Sequence, residues 1–570
     1  MEAIACSGRV RPVPAAGLRA ALLAVLLTAA VHATAAVLPS VTARSDGAEP
    51  TRPASVPADA DLVGAGARIG EVRIVVRDLF DTSRPDENTG LFRLANRLHI
   101  ETRETTVRNQ LLFEAGQAYD PRVIEETARL LRTQRYLRDA WITPVAWRDG
   151  RVDLVVEVQD VWTFNPGVSF GRKGGENTSG FELEELNLFG TGTQVTLGHK
   201  SSVDRDSNLV IYRDRQIGRS WWSVDAQFAD NSDGQFGQLI LDHPFYALDT
   251  RWAGGITVGD DERTESRYDL GAVVDQYRVD QQLASAYVGW SRGLRNGRVT
   301  RWKLGYTRDE RDFTALTLPA PTRALPGDRT LAYPWIAVEW LEDDYRTERN
   351  RDQIARTEDI ALGLRARLQF GVASDGFGAD RSATMLSGGI SHGWRLTPRQ
   401  TLQLEATTSG RIEDGEVAGG LLGFDARWYF RQSPRRVLYL GLSALEGKNL
   451  DLDQQVQLGG DNGLRGYPLR YQSGTSRWLF TAEQRLFSNW YPFRLFNVGG
   501  AVFFDMGEVR GNDPLGTPSQ GLLRDIGFGL RLGNGRSGLG NVVHFDVAFP
   551  LDGDSSIRKV QFLVETKRSF

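Results

Sequence analysis

Cysteine is almost missing from this chain. Its single copy among 570 residues, Cys6, precedes an apolar stretch near the N-terminus. Once that stretch is removed, no disulfide and no cysteine-ligated metal can form. Histidine is scarce too, with six scattered copies and no H-x-x-x-H or H-E-x-x-H spacing, so no metal site and no cofactor is expected. Basic clusters are lacking: 68 Lys and Arg stand against 72 Asp and Glu, a net charge of −4. No basic run interleaves with aromatics, which argues against nucleic acid as a partner. Past the N-terminal stretch, no apolar run approaches the ~20 residues of a membrane helix.

What is abundant points elsewhere. The chain carries 61 glycines, 26 phenylalanines and 14 tryptophans. Its mean hydropathy of −0.34 is that of a soluble protein. A transmembrane β-barrel shows lipid only every second residue, however, so its average hydropathy is unremarkable.

The first residues have the grammar of a secretory signal. Arg9, Arg11 and Arg19 precede an apolar core over Ala20–Val31, and Ala33-Thr34-Ala35 is an A-x-A cleavage pattern. A signal peptide is expected over 1–35. Residues 36–67, rich in Pro, Ala, Ser and Asp without periodicity, are expected to be a disordered linker.

A small α/β module is expected over 68–161. Glu71–Arg77 alternates as a strand, Thr105–Leu112 is helical, and Asp120 caps a second helix with Pro121 at its first position. Val123, Ile124, Ala128 and Leu131 give that helix an apolar stripe. Strands Ala140–Trp147 and Val152–Val158 follow, joined by an Asp149-Gly150 turn. The order is β-α-α-β-β.

From about Thr163 the pattern changes and stays changed. Short alternating segments recur between Gly, Asn, Asp and Pro clusters. Ile526, Phe528, Leu530 and Leu532 alternate with Gly527, Gly529 and Arg531; Trp478, Phe480 and Ala482 alternate with Leu479, Thr481 and Glu483. With no helical crossovers, a mostly β fold results: a transmembrane antiparallel β-barrel over 162–570. Short turns at Leu188–Gly192, Ala247–Thr250, Asn296–Arg298 and Pro434–Arg436 mark one end. Longer loops near Glu262–Asp280, Thr314–Arg329 and Gly371–Arg381 mark the other. Counting along these gives fifteen strands up to a long glycine-rich loop and five after it, about twenty in all.

That loop, LGGDNGLRGYPLRYQSG over Leu458–Gly474, lies within an expected inward-folded segment, 447–475. About thirty residues on, FFDMG spans Phe503–Gly507. In this strand Val502 and Phe504 share one face and Phe503 and Asp505 the other. If the first pair meets lipid, Asp505 points into the barrel, where an unpaired carboxylate is costly. Arg465 is the best candidate partner, since a planar guanidinium matches a carboxylate.

Other motifs have plainer explanations. Gly167-Val168-Ser169-Phe170-Gly171 matches the esterase elbow G-x-S-x-G, but it falls in a glycine-rich strand rather than a strand-to-helix turn. No enzyme activity is expected. Glu182 and Glu184 share one strand face and read as lumen-facing polar residues. The run Glu342-Asp343-Asp344 reads as a solvated strand end.

Four features together resemble the outer-membrane protein assembly and translocation superfamily, which includes BamA- and TamA-type assembly factors, two-partner secretion transporters and the bacterial surface antigen family. LNLFGTG (Leu186–Gly192), with Asn187, Gly190 and Gly192, is similar to the family's turn after the second barrel strand. LRGY (Leu464–Tyr467) is similar to its loop motif. FFDMG resembles its F-x-D-x-G strand. HFDVAFPL and QFLVETKRSF resemble its closing strands. The resemblance implies that the α/β module is a single POTRA domain in the periplasm of a Gram-negative cell, with the barrel in the outer membrane. It implies a lumen lock of Arg465, Gly466, Tyr467 and Asp505, and a C-terminal assembly signal at Phe570. It implies insertion or translocation of polypeptide clients, with unfolded outer-membrane or secreted polypeptides, outer-membrane lipids and accessory periplasmic proteins as partners. The family's usual barrel has about sixteen strands, fewer than counted here, but still an even number. A passive outer-membrane pore for small solutes or lipids is the alternative.

Overall fold

The computed structural model describes residues 50–316, 324–511, 519–538, 542–555, 557–567 and 570. The signal peptide expected over 1–35, and the linker up to residue 49, lie outside these. The rest of the expected linker is ordered. Asp59–Gly64 forms helix α1, and Val56 and Leu62 sit in the core of the module that follows. These apolar side chains, with the Tyr119 hydroxyl donating to Asp59 Oδ1 at 2.8 Å, anchor a polar stretch, a signal that composition averages away.

The α/β module is built on three strands: β1 (Arg68–Arg77), β2 (Leu137–Arg148) and β3 (Arg151–Asp160). Their order is β1–β3–β2, with β1 parallel and β2 antiparallel to the central β3. Asp149 and Gly150, both at positive φ, make the tight β2–β3 turn. Between β1 and β2 lie α2 (Gly90–Leu98), α3 (Glu104–Asn109) and α4 (Pro121–Arg132). The Asp120 side chain accepts the Arg122 N–H and caps α4. The apolar face of α4, Ile124 and Leu131, covers Val152, Leu154, Val156 and Val158 of β3. Helix α2 escaped the sequence reading, although Thr89 caps it through the Phe92 N–H.

The remainder closes into an antiparallel barrel of 20 strands, from Phe164–Lys173 to Gln561–Lys567. Fifteen precede the Leu458–Gly474 loop and five follow it. Alternation places Trp302, Leu304 and Tyr306 outward, while Lys303 pairs with Glu339 inside. Ile526, Phe528 and Leu530 face outward, and Asp525 and Arg531 are buried inside. A closed sheet with an apolar outer face satisfies its own backbone and spans a bilayer. No described helix is long and apolar enough to do so. Trp252, Trp290, Trp302, Trp340 and Trp394 are all exposed on the outer face near the end of the short turns, a girdle at one bilayer interface.

Two stretches differ from expectation. Glu262–Asp280 is not a loop: strands Trp252–Asp269 and Ala272–Ser291 run on to a turn at Leu270–Gly271. Its polar residues line strands that project beyond the apolar belt, and such strands look like loops in sequence. Asp343 and Asp344 do stand at the end of strand Arg329–Glu342, with Asp344 exposed, but more than a turn follows them. They open a hairpin, Tyr345–Arg349 against Thr357–Ala361, that leaves the barrel wall between strands Arg329–Glu342 and Arg365–Ala373.

Candidate functional site: the barrel lumen

The long loop folds back inside the barrel. It pairs Val456–Leu458 with Gln472–Gly474 and buries Leu458, Leu464, Tyr467 and Tyr471 against Val509, Leu523 and Ile557. At its tip Arg465 meets Asp505 in a two-pronged pair: Nε donates to Oδ2 at 2.7 Å and Nη2 to Oδ1 at 3.0 Å. Nη1 donates to Glu483 Oε2 at 2.9 Å. The guanidinium also lies 3.4 Å from the centre of the Phe503 ring. The fork, its two carboxylates and the ring fix one orientation for the loop tip.

The next two residues complete the attachment. Asp525 stands across from Asp505 on the neighbouring strand, and its Oδ2 accepts the Gly466 N–H at 3.0 Å. A side chain at 466 would be blocked: a Cβ there would lie 2.7 Å from Asp525 Cβ and 3.1 Å from Pro550 N. Close approach, not turn geometry, demands glycine here. The Tyr467 hydroxyl donates to the Arg524 carbonyl at 2.7 Å and accepts the Arg524 N–H at 3.1 Å. The structure thus brings together all four residues named for the lock.

Sequence reasoning missed what lies beneath. Glu483 Oε1 accepts from Arg485 Nε at 2.9 Å, and Arg485 Nη1 reaches Asp352 Oδ1 at 2.8 Å. Arg531 pairs with Asp546 and lies 3.7 Å from Glu483. An alternating chain, Asp505–Arg465–Glu483–Arg485–Asp352, therefore runs along the lumen wall. The signal was present: Glu483, Arg485, Arg531 and Asp546 all fall on inward parity of the closing strands. Charges on the interior face of consecutive strands must pair with one another.

Asp352 belongs to the hairpin that the sequence did not reveal. Its tip enters the lumen from the short-turn end. Ile354 packs among Tyr429, Val437, Phe487, Ala501, Val542 and Phe570. Glu358 accepts the backbone N–H of Arg351 at 2.9 Å and of Asp352 at 3.0 Å, shaping the tip. Phe570 is buried here beside Phe487, with ring centroids 4.8 Å apart. The α/β module holds the hairpin from below: Arg132 Nε and Nη2 donate to Asp359, both at 2.7 Å, and Thr357 Oγ1 donates to Asp139 Oδ2 at 2.6 Å.

The LNLFGTG turn is the other mount for the module. Asn187 is fully buried; its Nδ2 donates to Thr102 Oγ1 at 2.9 Å and its Oδ1 accepts the Gly192 N–H at 2.7 Å. Gly190 and Gly192 adopt positive φ, and a Cβ on either would strike Glu101 O or the Tyr136 ring. The motif is a landing pad as well as a turn. Nearby, Glu184 is buried in a pair with Arg135 at 2.9 Å. Ser169 pairs with Gly180 within a plain strand, without the strand-to-helix turn of a nucleophile elbow.

The seam is the weakest join in the wall. Among the described residues, the first and last strands share one ladder pair, Val564 with Arg172. Lys173 Nζ adds an ion pair to Glu565 Oε1 at 2.5 Å. Continuing that register would set Phe570 opposite Pro166, which has no N–H to give; instead Phe570 turns into the lumen. Trp162 is held by the turn at Arg536–Gly538, not by the last strand.

These features define a membrane-spanning barrel of outer-membrane type, with its lumen filled from both ends and its seam barely closed. No family model and no curated protein matches the chain. It is similar to solved outer-membrane barrels, among them BamA from Haemophilus ducreyi lacking POTRA domains 1–3 (13% identity, 88% of this chain and 85% of that one, TM-score 0.37). CdiB from Escherichia coli is similar at 13% identity over 89% of this chain and 77% of that one, TM-score 0.45. The FrpB iron transporter from Neisseria meningitidis is similar at 8% identity over 76% and 87%, TM-score 0.39.

Proposed function

We propose that this barrel handles polypeptide clients, inserting them into the outer membrane or passing them across it. The observation that carries this is the seam. A barrel built only to hold a pore open gains by zipping its first strand to its last, because unpaired strand edges are costly in lipid. Here, among the described residues, one ladder pair and the Lys173–Glu565 ion pair do the joining, and the first strand offers its remaining edge to an incoming strand. β-Augmentation by a client supplies main-chain hydrogen bonds in place of the missing ones. In this reading the α/β module is a POTRA domain in the periplasm, where it captures the unfolded client. The work is strand exchange and makes or breaks no covalent bond, so the protein is no enzyme.

The contrary reading is a passive pore for small solutes or lipids. Against it stand the inward loop and hairpin, both tied into the wall by buried ion pairs. In single-channel recordings the proposed machine shows small, flickering currents, and a pore shows a large, steady conductance.

The direct test locks the seam. In a Cys6→Ser background, Arg172→Cys with Val564→Cys places two thiols on facing residues of an antiparallel pair, within disulfide reach. Oxidation is expected to abolish client handling, read as loss of barrel or secreted proteins from the outer-membrane and secreted proteomes, and reductant to restore it. Unchanged proteomes with the disulfide formed, together with a steady conductance, overturn the proposal in favour of the pore.

A further inference from the structure

Helix α2 carries an apolar stripe that the fold leaves uncovered. Leu91, Leu94 and Leu98 recur at the spacing that puts them on one face, and they are 69%, 50% and 62% exposed. The helix has already committed its other side. Phe92 stacks on Phe80 with ring centroids 4.2 Å apart and joins it and Leu79 in a buried cluster, against which Ala95, Trp162 and Leu495 pack. Three leucines in one stripe on a nine-residue helix are too many to leave in water without a reason.

The position of the helix supplies one. Trp162 leads into the first barrel strand, and Leu495 belongs to the turn between strands Ser476–Phe487 and Phe496–Arg510. That turn also shows Trp490 and Phe493 to the outside, and Phe496 follows on the outer wall. It lies at the end where the tryptophan girdle marks the bilayer interface. Ion pairs from Arg494 to Asp86 and from Arg536 to Glu87 fasten the segment before α2 to the same rim. The leucine stripe thus continues the barrel's apolar outer surface one step beyond its edge. Arg97 is exposed on the side of the helix next to the stripe, and Arg93, also exposed but farther round, donates from Nη1 to Asn88 Oδ1 at 2.6 Å.

We propose that α2 is an interfacial anchor: its leucines lie in the bilayer leaflet next to the short-turn end of the barrel, and Arg97 reaches the lipid phosphates. Apolar residues at the acyl boundary beside arginines that extend to the headgroups form the pattern of a helix lying in a membrane plane. The anchor ties the module to the membrane next to Trp162, where the first strand begins and the seam is open. It depends on the barrel lying in a bilayer and not on what its client is.

The test uses the whole protein refolded into phosphatidylethanolamine–phosphatidylglycerol vesicles, in a Cys6→Ser background. An environment-sensitive thiol fluorophore is placed at Leu94→Cys, at Leu98→Cys, or at Glu125→Cys as a water-facing control on α4. Nitroxide-labelled acyl chains are expected to quench the Leu94 and Leu98 labels at least about twofold more than the Glu125 label, with iodide showing the reverse order. All three side chains are exposed, so the labels cost no core packing, and heat-modifiable migration confirms a folded barrel. Iodide quenching at Leu94 and Leu98 equal to that at Glu125 overturns the proposal. So does protection from both quenchers, which places protein rather than lipid over the stripe.

Discussion

The backbone N–H of Phe570 donates to the Asp352 carbonyl at 2.6 Å. Phe570 is thereby bonded to the tip of the hairpin that enters the lumen from the short-turn end. Its ring lies under the Arg485 guanidinium, 5.4 Å from the ring centre, and against Ile354 and Phe487. A terminal aromatic serving only as an assembly signal needs no such seat.

Phe570→Ala is therefore expected to weaken the finished barrel. Removing a buried phenylalanine costs about 3–5 kcal/mol where the site cannot collapse. The check is the unfolding temperature of the refolded, purified barrel, read by heat-modifiable migration. A barrel that folds in lower yield but melts at the wild-type temperature would assign Phe570 to assembly alone.

The lock residues are expected to rank in a definite order. Arg465→Ala leaves Asp505, among the described residues, with no cationic partner and leaves Glu483 only Arg485 and Arg531. Asp505→Ala leaves Arg465 still bonded to Glu483. Breaking a buried pair by removing one partner costs about 3–5 kcal/mol, most when the orphan keeps its charge. Denaturant unfolding of the refolded barrel should place Arg465→Ala below Asp505→Ala, with Arg465→Met/Asp505→Leu less damaged than either. Equal losses from both single variants would show that Glu483 does not share the guanidinium.

Much of this architecture was legible in the chain. Period-two alternation gave the strands, and the parity of Val502, Phe504 and Asp505 gave the inward carboxylate. The cost of leaving Asp505 alone called for a partner, for which Arg465 was the best candidate, and the family resemblance made that pair the expectation. Less accessible were interactions whose partners lie far apart in sequence. Asp352 and Arg485 share no local pattern, and the hairpin's polar surface resembles any solvent loop. Helix α2 was missed because its leucines, which face outward, look like noise beside the buried stripe of α4. Asn187, Gly190 and Gly192 read as a turn, since the module that lands on them is visible only in three dimensions.

The module brings its own pH dependence. His99 Nδ1 bonds the Asn96 carbonyl at 2.7 Å, which turns Nε2 towards Asp160, 3.7 Å away. Burial pulls the imidazole pKa down, but the Asp160 carboxylate and the Asn96 carbonyl outweigh it, and the net shift is upward from 6.5. A raised folded-state pKa means that the contribution is fully present below the unfolded value and is lost as pH rises through the folded one. Comparing wild type with His99→Gln by thermal melting should show a stability gap at pH below about 6 that closes at alkaline pH. A gap of the same size at both ends would mean that His99 acts through packing and not through charge.

The final prediction concerns the link between module and lumen. Arg132 on α4 grips Asp359 of the hairpin with two 2.7 Å bonds, and both side chains are largely buried. From Asp359 the path runs through the hairpin to Asp352, and then through Arg485 and Glu483 to Arg465. If the hairpin is held in the lumen by the module, Arg132→Ala and Asp359→Ala should each loosen it, and the double variant should be no worse than the poorer single. The coupling in such a cycle is expected at about 0.5–3 kcal/mol, the range for residues in contact or in one salt-bridge network. The physiological readout is conductance: a loosened hairpin should open the short-turn end and raise both the mean current and its flicker. Wild-type currents in all three variants would show that Ile354 and Phe570 hold the hairpin unaided. The module would then be a passenger on the barrel, with no hold on its lumen.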